Sequence, residues 1–250
     1  MIPVTRHGWR EMLIGSLVIA AVIVGISQAY FIPDWVRFVV LLLPLATLIW
    51  LFAFFRDPER SIPVEQHAMV SPADGKVSDI EQLPMHELLG GPCVRVGIFL
   101  SVFNVHINRA PCDGVVKEVR YKRGKFINAM KHNEASSDNE SNTVVLVESE
   151  GERPIAVVKQ IVGLIARRII CTAEKGDSVT RGQRIGMIKF GSRTELYIPA
   201  WLEPEIKVQV GDTVRGAQDI IAVLHKPVVT KVKKIDDEEY EPIVGRESPA

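Results

Sequence analysis

Cysteine is scarce in this sequence of 250 residues, which contains only Cys93, Cys112 and Cys171. The three are odd in number and far apart, and no C-x-x-C pair occurs. Zinc sites and disulfide frameworks need closely spaced or paired cysteines, so neither is indicated. The scarcity fits a reducing compartment. We therefore predict no metal site.

Net charge is also lacking, because 30 Lys and Arg residues balance 30 Asp and Glu residues. Nucleic-acid recognition needs concentrated positive charge, so no nucleic-acid partner is expected. Common catalytic motifs are missing as well: the sequence has no G-x-S-x-G elbow, no H-E-x-x-H pair and no glycine-rich phosphate loop. These absences exclude the usual signatures of serine hydrolases, zinc proteases and nucleotide-binding enzymes.

What the sequence has is hydrophobicity concentrated near its amino terminus. Residues 12–32 and 38–55 are uncharged runs of 21 and 18 residues. A helix of either length can cross most or all of a hydrocarbon core about 30 Å thick. The segment PDWVR between them allows only a tight reversal. Residues 1–55 are therefore predicted to form a membrane hairpin of two apolar helices.

Basic residues flank the outer ends of this hairpin, with Arg6 and Arg10 before it and Arg56 and Arg60 after it. By the positive-inside tendency, both ends and everything downstream are predicted to lie on the cytoplasmic side of the cell membrane. A hairpin that dips into one leaflet is an alternative. So is a cleavable signal peptide, although the second apolar run that follows at once disfavours it.

The rest of the chain is predicted to be mostly β, because short runs rich in Val and Ile recur between turn signals. Helical periodicity is weak, and IEQLPMHELLG at residues 80–90 is the best short helical candidate. Residues 226–250 are charged and contain prolines, which predicts a flexible tail. The predicted domains are thus the hairpin at 1–55, a mostly β catalytic domain at 56–225, and the tail.

Two segments of the β region echo each other: KGDSVTRGQRIGMI begins at Lys175, and VGDTVRGAQDIIAVL begins at Val210. Each is predicted to be a turn that leads into a strand, as in barrel-sandwich domains of the lipoyl type. Neither copy carries a lysine at the tip of a carrier hairpin, which disfavours a swinging-arm carrier. The predicted fold class is mainly β with barrel-sandwich elements and few short helices, preceded by the apolar hairpin.

Four further segments could carry chemistry, although each has an ordinary structural explanation. Asp74-Gly75 in SPADGKV could be a hairpin turn. His106 in FLSVFNVHINRAP could be a buried, hydrogen-bonded histidine. RGKFINAMKHNEASSDNESN, residues 123–142, could be a solvated loop, and Gly191-Ser192 in MIKFGSRTELYIP could be a two-residue turn. Alone, none of them predicts an activity.

The combined pattern is more informative. FFRDPER follows the apolar hairpin, and SPADG, NVHINRAP, GKFINA, DNESN and FGSR come after it in that order. This succession, from residue 54 to residue 198, resembles the phosphatidylserine decarboxylases. The match is to their short prokaryotic form, in which an arginine follows the Gly-Ser pair. The joint pattern is highly specific, whereas no single member of it is.

The resemblance implies a proenzyme that cuts itself between Gly191 and Ser192. Glycine offers an unhindered carbonyl, and the Ser192 hydroxyl can attack it with the advantage of proximity. The amide becomes an ester, elimination leaves dehydroalanine, and hydrolysis gives ammonia and a pyruvoyl group. That covalent cofactor would form a Schiff base with phosphatidylserine or a related serine-headed lipid and act as an electron sink while carbon dioxide leaves. No metal or diffusible cofactor is required.

The resemblance also implies roles for particular side chains. Asp74 matches the aspartate of the family's PADG motif, which is thought to help the serine in a triad-like arrangement with histidine. His106 matches the first of two histidines in many long-form relatives, but Arg109 stands at the second position. We expect His106 to be the acid and base, supported by Asp74, which could instead support Ser192. Arg109 or Arg193 is expected to hold the substrate's carboxylate or phosphate.

Two other interpretations stay open. One is a non-enzymatic membrane adaptor with a barrel-sandwich domain, and the other is a pyruvoyl enzyme for a soluble amino acid. The hairpin disfavours the second, because a soluble substrate needs no anchor. The lipid enzyme would be purified as a heterodimer of residues 1–191 and 192–250, or as a higher oligomer. Removing residues 1–55 is expected to release it from membranes and leave self-cleavage intact.

Overall fold

A computed structural model describes residues 3–130, 132–148, 153–164, 168–189 and 191–226. Within them, two long apolar helices precede a domain built mainly from antiparallel strands. The predicted fold class is confirmed. The predicted tail falls almost wholly outside the described residues, because only Lys226 of it is included.

Helix α1 spans Trp9–Ser27 and helix α2 spans Asp34–Phe54. Both are long and apolar enough to cross a membrane, and both expose most of their apolar side chains. They approach each other closely at Gly15, where an added Cβ would lie 2.6 Å from Leu51 Cδ2. The predicted pair of apolar helices is confirmed.

The described residues after α2 contain one short α-helix, α3, at His132–Asp138, one 3-10 helix at Ala200–Leu202, and fourteen strands. The strands are β1 (Ala68–Val70), β2 (Gly75–His86), β3 (Gly91–Leu100), β4 (Ile107–Arg109), β5 (Gly114–Lys122), β6 (Ser141–Val147), β7 (Pro154–Val162), β8 (Arg168–Cys171), β9 (Ser178–Val179), β10 (Arg184–Lys189), β11 (Ser192–Pro199), β12 (Pro204–Ile206), β13 (Thr213–Val214) and β14 (Ile220–Leu224). They form an eight-stranded sheet in the order β13-β2-β3-β11-β7-β6-β5-β9 and two three-stranded sheets, β4-β10-β8 and β1-β14-β12.

The two echoed segments lie at the two edges of the eight-stranded sheet. β9 pairs with the start of β5, and β13 pairs with the start of β2. The glycines that precede these short strands, Gly176 and Gly211, have φ angles of +97° and +103°. Glycine adopts such angles without steric cost. The predicted succession of turn and strand is confirmed in both copies.

The prediction of a helix at residues 80–90 was wrong, because most of this segment continues β2. Glu81 lies opposite Arg95 of β3, and the two side chains form a salt bridge of 2.6 Å. Leu83 packs against an apolar cluster that includes Cys93 and Tyr197. Partners on the neighbouring strands therefore outweigh a weak helical pattern, since strand preference depends strongly on cross-strand packing.

Strand β11 lies in the middle of the eight-stranded sheet, between β3 and β7, and is buried along its whole length. Side chains alternate between the two faces of a strand. Ser192 and Thr194 therefore share a face with Leu196 and Ile198, which belong to the main apolar core. The opposite face carries Arg193, Glu195 and Tyr197.

The end of the helix pair is packed into the β domain. Phe54 and Phe55 are buried in one apolar cluster with Val105, Ile107 and Met187. The last turn of α2 is thus part of the domain's interior, although most of the helix is exposed.

Candidate active site

Ser192 opens β11, and its side chain is wholly buried. Its Oγ has no hydrogen-bond partner among the described residues. A buried polar group without a partner costs about 1–3 kcal/mol, so it needs an explanation beyond packing. The residue before it, Gly191, has a φ of +63°. β10 and β11 belong to different sheets, so Gly191-Ser192 is the entry to a central strand and not a two-residue hairpin turn.

His106 contacts this entry directly. Its Nε2 accepts a hydrogen bond from the backbone N–H of Gly191, with 3.2 Å between the nitrogens. Its Nδ1 lies 3.0 Å from the carbonyl oxygen of Asn104. Because a carbonyl only accepts, Nδ1 carries the ring proton and Nε2 presents a lone pair. The structure therefore brings His106, Gly191 and Ser192 together.

The imidazole of His106 is shielded from solvent by its neighbours. It is fully buried, and the ring of Phe54 lies against it with 4.5 Å between centroids. The pKa of His106 is lowered to about 4, mainly by burial; the hydrogen bond to Asn104 opposes this shift, and the positive charge of Arg56 adds to it. At neutral pH the ring is uncharged, as a proton acceptor must be.

A side-chain hydrogen bond between Asn108 and Thr194 links β4, which follows His106, to β11, which begins at Ser192. Asn108 Nδ2 donates to Thr194 Oγ1 at 2.9 Å, and both side chains are buried. Gln160 Nε2 donates in turn to Asn108 Oδ1 at 2.9 Å. These residues were not predicted to be parts of the site, because buried amides carry no periodic signal in a sequence.

Gly163 lies against the carbonyl that Ser192 is predicted to attack. A Cβ added at residue 163 would stand 2.4 Å from the carbonyl oxygen of Gly191 and 3.3 Å from Ala129 Cβ. Real side chains do not approach that closely, so only glycine lets the carbonyl stay in place. Gly163 was not predicted to belong to the site, although a glycine directly after an apolar strand is a signal of close backbone approach.

Asp74 lies in a different cluster. Its Oδ1 accepts a hydrogen bond from Gly216 N at 2.8 Å, and its Oδ2 accepts one from Arg60 Nη2 at 2.6 Å. Burial raises the pKa of Asp74, while the charge of Arg60 opposes the rise. In the described part of the chain, no hydrogen bond joins Asp74 to His106 or Ser192. Its role in a triad-like arrangement stays a prediction.

Asp113 precedes β5 as Asp74 precedes β2, and these are the two strands that pair with the echoed segments. Its Oδ1 accepts from Arg181 N at 2.6 Å. Arg181 and Gly216 each lie two residues after the valine of their own G-D-[ST]-V turn. Both aspartates thus anchor the matching loop, but Asp74 alone of the two pairs with Arg60. Asp113 is therefore an internal reference for the structural part of Asp74's role.

Arg109 is held by protein groups on the side of the domain where Asp74 lies. Its Nη1 donates to Gly182 O at 3.0 Å, and its Nη2 donates to Asp57 Oδ1 at 3.1 Å and to Pro58 O at 3.0 Å. Both end nitrogens of the guanidinium are therefore engaged. A substrate contact by Arg109 stays a prediction that requires some of these bonds to be exchanged.

Arg193 points to the face of β11 opposite Ser192, as the alternation of a strand requires. Its guanidinium is completely buried and bonds to Glu195, Ser78 and Asp79 at 2.6–2.9 Å. The close packing depends on Gly97, because an added Cβ there would lie 2.0 Å from Arg193 Nη2. The predicted substrate contact of Arg193 is likewise untested.

Among the described residues, no group of three or more His, Cys, Asp or Glu side chains could hold a metal ion. The side chain that bonds to the Gly191-Ser192 entry is the uncharged imidazole of His106. This arrangement is suited to proton transfer and to attack by a hydroxyl on the neighbouring carbonyl.

Comparison with known proteins gives the same family as the motifs. The family model for phosphatidylserine decarboxylase matches residues 48–222. The phosphatidylserine decarboxylase proenzyme of Oleidesulfovibrio alaskensis is 44% identical over 211 residues, which cover 84% of this chain and 90% of that protein. The proenzyme of Ralstonia pickettii is 39% identical over 225 residues, which cover 88% of this chain and 95% of that protein. The proenzyme of Solidesulfovibrio magneticus is 48% identical over 174 residues, or 68% of this chain and 79% of that protein.

Proposed function

The chain belongs to the phosphatidylserine decarboxylase family, and on that premise we propose that it cuts itself at Gly191-Ser192 and then converts phosphatidylserine, or a related serine-headed lipid, to the ethanolamine lipid. One observation carries the proposal. His106 Nε2 lies 3.2 Å from the N–H of Gly191, next to a Ser192 hydroxyl that is buried without a described partner.

In the first step, His106 Nε2 exchanges its bond to the Gly191 N–H for one to the Ser192 hydroxyl. Ser192 Oγ then attacks the carbonyl carbon of Gly191 and gives its proton to His106 Nε2. The C–N bond breaks, and His106 returns the proton to the departing nitrogen of Ser192, so the amide becomes an ester. His106 can serve in both directions because it is uncharged at neutral pH. The attack joins neighbouring residues of one chain and so needs no diffusion.

In the second step, the Cα proton of Ser192 is removed and the ester oxygen leaves as the carboxylate of Gly191. Water then replaces the nitrogen, which leaves as ammonia, and residue 192 becomes a pyruvoyl group. Such a group supplies an electron-accepting carbonyl for an amine substrate. The buried hydroxyl of Ser192, the left-handed Gly191 and the close approach of Gly163 fit this use of residue 192. We assign His106 the proton transfer to the substrate carbon as well.

Asp74 is given a positioning role in this proposal, because both its carboxylate oxygens bond to Gly216 and Arg60. It supports the loop geometry and the charge balance around the site without touching Ser192. Arg109 and Arg193 remain the proposed ligands of the substrate's carboxylate or phosphate. Each would have to exchange a protein partner for the lipid.

The two fragments are proposed to stay together as a heterodimer after the cut. β11 begins at Ser192 and pairs with β3 on one side and β7 on the other. Both neighbours belong to residues 1–191. A cut before Ser192 therefore leaves the new end of the smaller fragment fixed in the middle of the sheet.

The helix pair is proposed to anchor the enzyme in the cell membrane, with the β domain on the cytoplasmic side. Both helices are long and apolar enough to span, and arginines flank their outer ends. Phe54 is the last residue of α2, and its ring contacts His106. The reacting bond would then lie close to the membrane surface, where the lipid substrate is.

The proposal is tested by trapping. Incubating purified enzyme with phosphatidylserine and a hydride donor that reduces imines should add lipid mass to residue 192 of the 192–250 fragment. Ser192→Ala should remain full length and take no label. Label on a lysine would overturn the pyruvoyl assignment, and an unlabelled, uncut parent protein would favour the alternative of a membrane adaptor.

A further inference from the structure

The turn of residues 101–104 presents a phenylalanine to the outside. Ser101 donates to Asn104 Oδ1 from its backbone N at 2.9 Å and from its Oγ at 2.7 Å. Asn104 also accepts the Nδ1 proton of His106 on its carbonyl oxygen. Phe103, at the tip of this well-bonded turn, is 72% exposed. The ring is therefore held outward by a rigid support.

The same turn is attached to the end of α2. Arg56 Nη2 donates to the carbonyl oxygen of Phe103 at 2.7 Å, and Arg56 Nη1 donates to that of Ala53 at 2.6 Å. One guanidinium thus joins the last turn of the apolar helix to the residue whose ring is exposed. Phe103 consequently lies beside the carboxyl end of α2, where the proposed anchor would leave the membrane.

Two more exposed apolar side chains lie on segments near the Gly191-Ser192 bond. Met130 is 57% exposed and follows Ala129, and Leu164 is 64% exposed and follows Gly163. A Cβ added at Gly163 would lie 2.4 Å from the carbonyl oxygen of Gly191 and 3.3 Å from Ala129 Cβ, and one added at Gly191 would lie 3.8 Å from Val102 Cγ1, so the segments that carry the three side chains meet near this bond. A single exposed apolar residue is ordinary on a protein surface. Three exposed apolar residues on segments that meet near one reacting bond, one of them attached to the end of an apolar helix, mark a surface for contact with a partner.

We propose that Phe103, Met130 and Leu164 form an apolar rim that enters the lipid surface and guides the acyl chains of the substrate, so that its head group reaches residue 192. This inference rests on the proposed lipid decarboxylase activity. A lipid surface is the occupant because the rim continues the apolar surface of the helix pair through Arg56, a residue type that membrane interfaces favour.

The direct test uses the full-length protein in vesicles of phosphatidylglycerol and phosphatidylcholine. A dye whose emission responds to polarity is attached to Phe103→Cys and, as a matched control, to Met85→Cys. Met85 is 66% exposed and lies near the end of β2, where Leu83 pairs with Cys93 at the start of β3. Ser192 pairs with Leu100 at the opposite end of β3, so Met85 is far from the reacting bond. Unsubstituted protein gives the background from its own cysteines.

The rim predicts a blue-shifted emission at residue 103 that lipids with brominated chains quench, and neither effect at residue 85. Equal, water-like emission at both positions would overturn the proposal. A blue shift at residue 103 that persists in detergent and resists brominated lipid would also overturn it, because a second copy of the chain would then be covering the rim.

Turnover gives a second readout. The ratio of activity on long-chain vesicles to activity on dispersed short-chain phosphatidylserine should fall several-fold in Phe103→Ser and stay unchanged in Met85→Ser. An unchanged ratio in both variants would contradict the acyl-chain guide. A parent protein that cuts itself yet releases no carbon dioxide would refute the proposed activity, while the dye measurement would still decide whether the rim enters lipid.

Discussion

Phe54 and His106 are in ring contact, with 4.5 Å between their centroids and an angle of 37° between their planes. Phe54 ends the second apolar helix, and His106 accepts the N–H of Gly191. The segment proposed to anchor the protein therefore also covers the group proposed to move its protons. This contact is part of the burial that lowers the pKa of His106 to about 4.

The first prediction concerns the pH dependence of self-cleavage. A histidine with a pKa of about 4 keeps its lone pair throughout the neutral range, so the rate should be level from pH 8 to about pH 5 and fall as His106 is protonated. His106→Ala should process far more slowly at every pH. Timed gels of protein made by cell-free translation into vesicles measure both.

The same pKa has a consequence for stability. Between pH 6.5 and about 4, the unfolded chain binds a proton at His106 that the folded chain does not, so the free energy of unfolding should fall as pH falls through this window. Protease resistance at each pH must accompany the rate measurement. A rate that declines already near pH 6.5, in folded protein, would contradict the assignment of His106 as a buried base.

The second prediction concerns the contact between the rings of Phe54 and His106. Phe54→Leu keeps α2 apolar but opens the space beside His106, which should let water in and raise the pKa of His106 towards its ordinary value. The acid limb of self-cleavage should move to higher pH. Phe52→Leu is the matched control, because Phe52 lies on the same helix and is 46% exposed. Identical pH profiles for the two variants would show that the ring contact does not matter.

The third prediction separates the chemical and structural roles of Asp74. Asp74→Asn and Asp113→Asn remove equivalent charges from loops that are bonded in the same way. Because Asp74 also pairs with Arg60 and balances the charge around the site, Asp74→Asn should slow self-cleavage more strongly than Asp113→Asn. Equal slowing, with equal loss of thermal stability, would mean that Asp74 only anchors its loop.

The fourth prediction concerns Gly163. Gly163→Ala should accumulate full-length protein, because its Cβ would meet the carbonyl oxygen of Gly191 at 2.4 Å and force the reacting bond to move. Gly91→Ala is the control, since a Cβ at residue 91 would meet no described atom within 4 Å. Thermal unfolding checks that both variants fold. Normal processing of Gly163→Ala would contradict the expected clash between residue 163 and the carbonyl oxygen of Gly191.

The elements that follow a strong local pattern could be predicted from the sequence. The two apolar runs became α1 and α2, and the repeated G-D-[ST]-V turns became equivalent edges of one sheet. The error at residues 80–90 arose because β3 supplies the partners that make this segment a strand. Sequence periodicity cannot show which distant strand will lie alongside.

The site was predictable in its residue types and less so in its arrangement. His106 and Gly191-Ser192 are together, whereas Asp74 and Arg109 bond elsewhere and Arg193 faces away. Gly163 and Phe54 belong to the site only through contacts between distant segments. A truncation meant to test the anchor should therefore keep Phe54 and Phe55, which removal of residues 1–55 would take from the domain's interior.

Intact mass spectrometry of the purified protein tests the central claim most directly. The account predicts two fragments, residues 1–191 ending in the carboxylate of Gly191 and residues 192–250, the second lighter by one ammonia than the same peptide with a free serine end. Ser192→Ala should give one uncut chain. An active preparation that contains only the uncut chain, or a small fragment that keeps its serine amino group, would contradict the account.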